Sequence, residues 1–218
     1  DAIESATSGL PAEGNVGGGA GMMTYEFKGG TGTSSRIVTI GENTWTVGTL
    51  VQSNFGARHQ LSILGVPVGL EMPHEAPNTQ ANEPEQGSII VVIGTDAPLL
   101  PNQLRRLAKR GALGIARTGS SGGHYSGDII LAFSVANERE ANRRGLEEPP
   151  VLQSMTSVDD HYLDVIYEAA VQSVEEAIIN AMVAAETVPL IKPAGKSWTA
   201  IDHEQLKKIM AKYNRLED

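Results

Sequence analysis

The 218-residue chain has no cysteine, so disulfides, thiolate metal sites and a cysteine nucleophile are all excluded. The same absence does not separate cytoplasm from periplasm. Aromatics are scarce, at 5% of residues, which points to a core built from small and aliphatic side chains. Basic residues are outnumbered 26 to 17, and the formal charge of −9 argues against a nucleic-acid partner. No stretch approaches the roughly 18 consecutive apolar residues of a membrane-crossing helix, and no membrane partner is expected.

Glycine is abundant, at 24 residues, and 40% of side chains are hydrophobic, enough to bury one substantial core. Met22 to Lys28, Arg36 to Ile40 and Thr44 to Gln52 read as short strands between glycine turns, which suggests a meander. Ile89 to Ile93 is a continuous β-branched run of the kind buried on both faces of a sheet, and Ile129 to Val135 is another β-rich run. Pro98 to Arg117 carries Leu100, Leu104, Leu107, Ala108 and Ile115 near helical spacing. Its basic residues lie on or near the other face. Asp159 to Glu186 is a long helical pattern, and Asp202 caps a terminal helix reaching Tyr213. Alternating sheet and helix blocks fit a layered α/β domain.

The chemistry concentrates where a long polar loop, Glu71 to Gly87, runs through one Gly-Ser bond into the Ile89 strand. Gly87 lacks a Cβ and tolerates the strained backbone that would bring the Ser88 hydroxyl onto its own preceding carbonyl. An N-to-O acyl shift and hydrolysis would then leave Ser88 as a new N-terminus. Its α-amine, with an ordinary pKa of about 7.7–8, could serve as base to its own hydroxyl. From the dipeptide alone, an ordinary loop-to-strand turn remains the alternative.

Other residues fit around that bond. Asn54, at the end of an apolar strand, is either a turn residue before Gly56 or a side-chain donor to an oxyanion. Ser126 and Asp128 stand two apart ahead of a strand. In extended backbone their side chains share a face, so the carboxylate can orient the hydroxyl; a strand-capping turn is the alternative. His124 tempts a Ser-His-Asp assignment but sits in a glycine loop and ranks below Ser126. His59, His74, His161 and His203 are scattered without the spacing of a zinc site, so no metal is expected. Gly14 to Gly21 superficially matches a phosphate loop, but lacks the preceding buried strand and the following helix.

Four segments, in order, resemble the family of L-aminopeptidase D-Ala-esterase/amidases and β-peptidyl aminopeptidases. They are Glu13 to Met22, Glu26 to Arg36, Leu50 to Gly56 and Gly87 to Pro98. The resemblance covers nearly the whole chain. It implies an αββα sandwich shared with the ornithine acetyltransferases and a precursor cut at Gly87-Ser88. Residues 1–87 would then form the later part of an α-subunit and residues 88–218 the β-subunit of one domain. It places Asn54 in the oxyanion hole, and Ser126 with an acidic residue, here the shorter Asp128, beside Ser88. The glycines of the Gly14 to Gly21 segment are expected near the nucleophile's strand.

The chain opens on Asp1 rather than Met. In the family about half or more of the α-subunit lies upstream of the glycine-rich segment, and the acidic residue that binds the substrate's ammonium is expected there. The resemblance further implies a small peptide or amino-acid amide as substrate, with a D-Ala, Gly or β-amino-acid N-terminus. It implies no cofactor, and a tetramer of αβ units. Two other readings stay open. One is a self-processed amide-oligomer hydrolase or acyltransferase of the same fold, although those tend to use Thr as nucleophile. The other is an uncleaved, non-catalytic binding homologue.

Overall fold

The computed structural model describes residues 4–72, 87–137, 152, 154–192 and 194–216. Its centre is a four-stranded sheet of β3 (Gly30–Ile40), β4 (Asn43–Asn54), β5 (Ser88–Thr95) and β6 (Ile129–Ser134), in that spatial order. The first three strands form an antiparallel meander, and β6 joins β5 in parallel. The parallel step needs a crossover, which α2 (Pro101–Arg117) supplies. Pro101 starts α2 where a missing N–H costs nothing, and Gln103 reaches back to the Leu100 N–H at 2.9 Å.

The long helix α3 (Leu163–Val183) packs on β3 and β4, while α2 packs on β6 and on α3. Close approach is possible because a Cβ at Gly32 would lie 1.9 Å from the Ala177 carbonyl oxygen of α3. Val47, Val51, Ile89, Val91 and Ile93 project into this interface and meet Leu107, Ile166, Val174 and Ile178, all buried. The α/β class therefore stands, and the helix runs legible from spacing fall within the expected segments. Strand β3, however, begins at Gly30 rather than Arg36. Helix α3 is preceded by a 3₁₀ turn over Asp160–Tyr162 and ends at Val183, short of Glu186.

Two sequence expectations need correction. The run Ile89 to Ile93 is not covered on both faces among the described residues: Ile90 is 47% exposed, while Ile89 and Val91 are buried. Ile129, Leu131, Phe133 and Leu50 share that open face, by the registers Ile90↔Ile129, Val92↔Leu131, Gly94↔Phe133 and Leu50↔Val92. The described residues thus supply one sheet and one helical layer of the expected sandwich.

The second correction concerns Met22 to Lys28, which is not one strand. It folds into a hairpin of β1 (Met23–Thr24) and β2 (Phe27–Lys28), with Tyr25 (φ 51°) and Glu26 (φ 61°) both left-handed. A turn of this kind ordinarily takes Asn or Gly, so each residue costs of order 1 kcal/mol. Arg58 offsets that strain: Nε donates to the Tyr25 carbonyl at 2.9 Å and Nη2 to the Glu26 carbonyl at 2.8 Å. Its guanidinium also stacks 3.1 Å over the Phe27 ring. Burial pulls the Arg58 pKa down to about 10, with Glu26 opposing the shift.

A short helix α1 (Val68–Glu71) lies at the start of the polar loop, of which residues 73–86, including His74, lie outside the described residues. Beyond α3 come β7 (Val188–Pro189), β8 (Ser197–Trp198) and α4 (His203–Lys212), capped by Asp202 accepting from the Gln205 N–H at 2.9 Å. Ile209 and Met210 dock α4 on the body, and Lys212 and Tyr213 bind Glu71.

Candidate active site

Ser88 opens β5 and Asn54 closes β4, and the antiparallel register sets them directly opposite each other. Side chains alternate along a strand, so both project onto the open face, in the same rows as Ile90 and Gln52. The nucleophile candidate and the donor candidate therefore sit side by side at the polar edge of an apolar floor.

The residue before Ser88 has no room for a side chain. A Cβ at Gly87 would lie 2.4 Å from the Asn54 carbonyl oxygen and 2.6 Å from Phe55 Cα. Backbone contact of that closeness holds the Gly87-Ser88 peptide against the end of β4.

The loop ahead of β6 supplies a third element. The Gly127 N–H donates to Ser88 Oγ at 2.9 Å. Flanking it, Ser126 donates its hydroxyl to Asp128 Oδ1 at 2.6 Å, and the same oxygen accepts the Ile89 N–H at 3.1 Å. Asp128 therefore bridges the loop to the start of β5. Because the one hydroxyl proton of Ser126 goes to Asp128, its lone pairs remain to accept from a neighbouring N–H.

Asn54 is oriented from the other side. The Met23 N–H donates to Asn54 Oδ1 at 2.9 Å, which assigns the oxygen end of the amide to the hairpin and leaves Nδ2 as the donor end. Lys28, fully buried, fixes the preceding glycine-rich segment. Its ammonium donates to the carbonyls of Gly19 (2.8 Å), Met22 (2.9 Å) and Gly29 (2.6 Å), and burial lowers its pKa. The 3₁₀ turn over Gly17–Gly21 thus presents its Gly19 carbonyl to a lysine of its own chain. It runs into the hairpin that touches Asn54.

His124 is exposed and its ring meets the Tyr125 ring edge-on at 4.9 Å. His59, His161 and His203 are each exposed. Among the described residues no group of three or more His, Asp or Glu side chains is arranged to hold a metal ion. Sequence reasoning brought Ser88, Asn54, Ser126 and Asp128 forward but missed Gly127, Met23 and the Ile89 N–H. These act through backbone donors, which have no residue-type signature.

The model of peptidase family S58 matches residues 1–193. The chain is 46% identical over 226 aligned residues to β-peptidyl aminopeptidase BapA of Sphingosinicella microcystinivorans, an alignment that covers 99% of this chain and 55% of that protein. Among solved structures it is similar to the L-aminopeptidase D-Ala-esterase/amidase of Ochrobactrum anthropi, described as a prototype serine aminopeptidase and a new variant of the Ntn hydrolase fold. That match has a TM-score of 0.89 and 48% identity, over 99% of this chain and 57% of the other. A Burkholderia sp. β-aminopeptidase superimposes with a TM-score of 0.82 at 38% identity, over 97% of this chain and 57% of the other. The chain spans about half the length of the curated relatives it matches.

Proposed function

The chain belongs to peptidase family S58 and has the Ntn-hydrolase fold, and we propose that it is the catalytic part of a self-processing aminopeptidase whose nucleophile is Ser88. The observation that carries this reading is the arrangement around Ser88. Asn54 lies opposite in the ladder, the Gly127 N–H lies 2.9 Å away, and Gly87 is pressed against β4.

In self-processing, Ser88 Oγ attacks the Gly87 carbonyl, the C–N bond breaks, and the acyl group moves from nitrogen to oxygen. Water then hydrolyses the ester, leaving a Gly87 carboxylate and a free Ser88 α-amine. The α-subunit would end at Gly87 and the β-subunit would begin at Ser88.

In turnover, the Ser88 amine takes the proton of its own hydroxyl as Oγ attacks the substrate carbonyl. Asn54 Nδ2 donates to the developing oxyanion, a contact typically worth about 3–4 kcal/mol in the transition state. Ser126, held by Asp128, accepts an N–H of the amine and keeps its lone pair on Oγ. The amine, now carrying the proton, hands it to the leaving group; water then releases the acyl group from Ser88. The names of the relatives support substrates with a free N-terminal small residue: amides or esters of D-Ala, or β-peptides. The family resemblance supports αβ units assembling into a tetramer.

Assay of the full-length protein on D-alanine amide and a β-alanyl dipeptide, beside Ser88→Ala, tests the reading. Hydrolysis by the wild type alone supports it. Equal rates in both proteins, or none in either, overturn it, and the second result favours a binding module.

A further inference from the structure

A buried tyrosine occupies a turn position that would ordinarily take Asn or Gly. Tyr25 has φ 51° and no solvent exposure, so the residue is kept there in spite of its backbone, and its side chain supplies the reason.

The side chain runs from the end of β4 to the end of α2. At one end, the Tyr25 N–H donates to the Phe55 carbonyl at 2.7 Å, one residue beyond Asn54. Its ring packs edge-on against Phe55, centroids 5.1 Å apart, and fills the space where a Gly56 Cβ would stand 2.4 Å away. At the other end, the phenol oxygen is 2.7 Å from Thr118 Oγ1 and 3.0 Å from the Ser120 N–H.

Proton accounting settles the direction of these bonds. The Thr118 hydroxyl donates to the Ile115 carbonyl at 2.7 Å, so the Tyr25 hydroxyl donates to Thr118 and accepts from Ser120. Both partners begin the loop that delivers Ser126, Gly127 and Asp128 to Ser88. Two residues before Tyr25, Met23 orients the Asn54 amide.

We propose that Tyr25 is a positioning residue for catalysis: its hydroxyl fixes the spacing between the Met23–Asn54 arm and the Gly127 loop on either side of Ser88. The inference rests on the self-processing aminopeptidase reading and names what holds that site in register. Reacting groups misplaced by a fraction of an ångström to one ångström lose rate steeply, while a phenylalanine preserves the packing.

The experiment compares full-length wild type, Tyr25→Phe, Thr118→Val, the double variant and Ser88→Ala. Self-cleavage rate, kcat and KM on D-alanine amide, thermal midpoint and amide hydrogen exchange are read for each. Tyr25→Phe is expected to lose about tenfold in kcat and in cleavage rate, with KM within about twofold. Exchange at Met23, Ser120 and Gly127 should quicken together, and the double variant should lose no more than Tyr25→Phe alone.

Wild-type kcat in Tyr25→Phe, or a drop in thermal midpoint alone, overturns the proposal while leaving the nucleophile assignment intact. An inactive wild type overturns the aminopeptidase reading instead. Exchange then decides the linkage by itself: unchanged protection at Met23 and Gly127 overturns it.

Discussion

The Met23 backbone N–H donates to Asn54 Oδ1 at 2.9 Å, so a side chain whose two ends are otherwise interchangeable has its donor end assigned. That single bond turns an asparagine at a strand end into a directed N–H donor directly across the ladder from Ser88.

Asn54→Asp keeps the oxygen that Met23 needs and replaces the donor with an acceptor. It should lose roughly a hundred- to a thousandfold in kcat, about as much as Asn54→Ala, with a smaller loss of stability than the alanine. Steady-state kinetics alongside thermal melts checks this. An Asp variant that retains near wild-type kcat would remove Asn54 from the oxyanion site.

Asp128 Oδ1 takes two hydrogen bonds, from Ser126 and from the Ile89 N–H. Asn keeps an oxygen there but removes the charge that strengthens the short Ser126 contact. Asp128→Asn is expected to lower kcat about tenfold, and Asp128→Ala about a hundredfold, since the alanine frees both Ser126 and the start of β5. Equal rates for the two variants would mean that charge alone matters.

Gly87→Ala places a methyl 2.4 Å from the Asn54 carbonyl oxygen. The backbone must shift, at a cost of about 1–3 kcal/mol. Denaturant unfolding should show that loss, and electrophoresis under denaturing conditions should show an uncleaved chain. Wild-type cleavage in this variant would contradict the proposal that the tight seating of the Gly87-Ser88 bond is what brings it to cleavage.

Under the proposed mechanism, the pH profile separates the two reactions of Ser88. Turnover needs the α-amine neutral, so kcat/KM should be low below an apparent pKa near the ordinary value of about 7.7–8 and rise as pH increases through it. Self-cleavage precedes the existence of that amine. Its rate, followed after dilution from denaturant, should lack this limb; a shared limb would point to a different base.

Much of the fold is legible in the sequence. The apolar stripes of α2, α3 and α4 read directly as helices, and the family motifs single out Ser88, Asn54, Ser126 and Asp128 as candidates. The β1–β2 hairpin was illegible because Tyr25 and Glu26 occupy a turn without its usual Asn or Gly, held instead by Arg58, which lies 33 residues from Tyr25. A β-branched run also reads the same whether one or both faces are covered, so the exposure of Ile90 was not foreseen. Gly127 escaped notice because its contribution is an N–H shared by every residue but proline.

The most direct test of the central claim is intact-mass spectrometry of the purified full-length protein beside Ser88→Ala. The account predicts two fragments for the wild type, one beginning at Ser88, and a single undivided chain for the variant. A wild type that stays whole, or a Ser88→Ala variant that splits at the same bond, would contradict it.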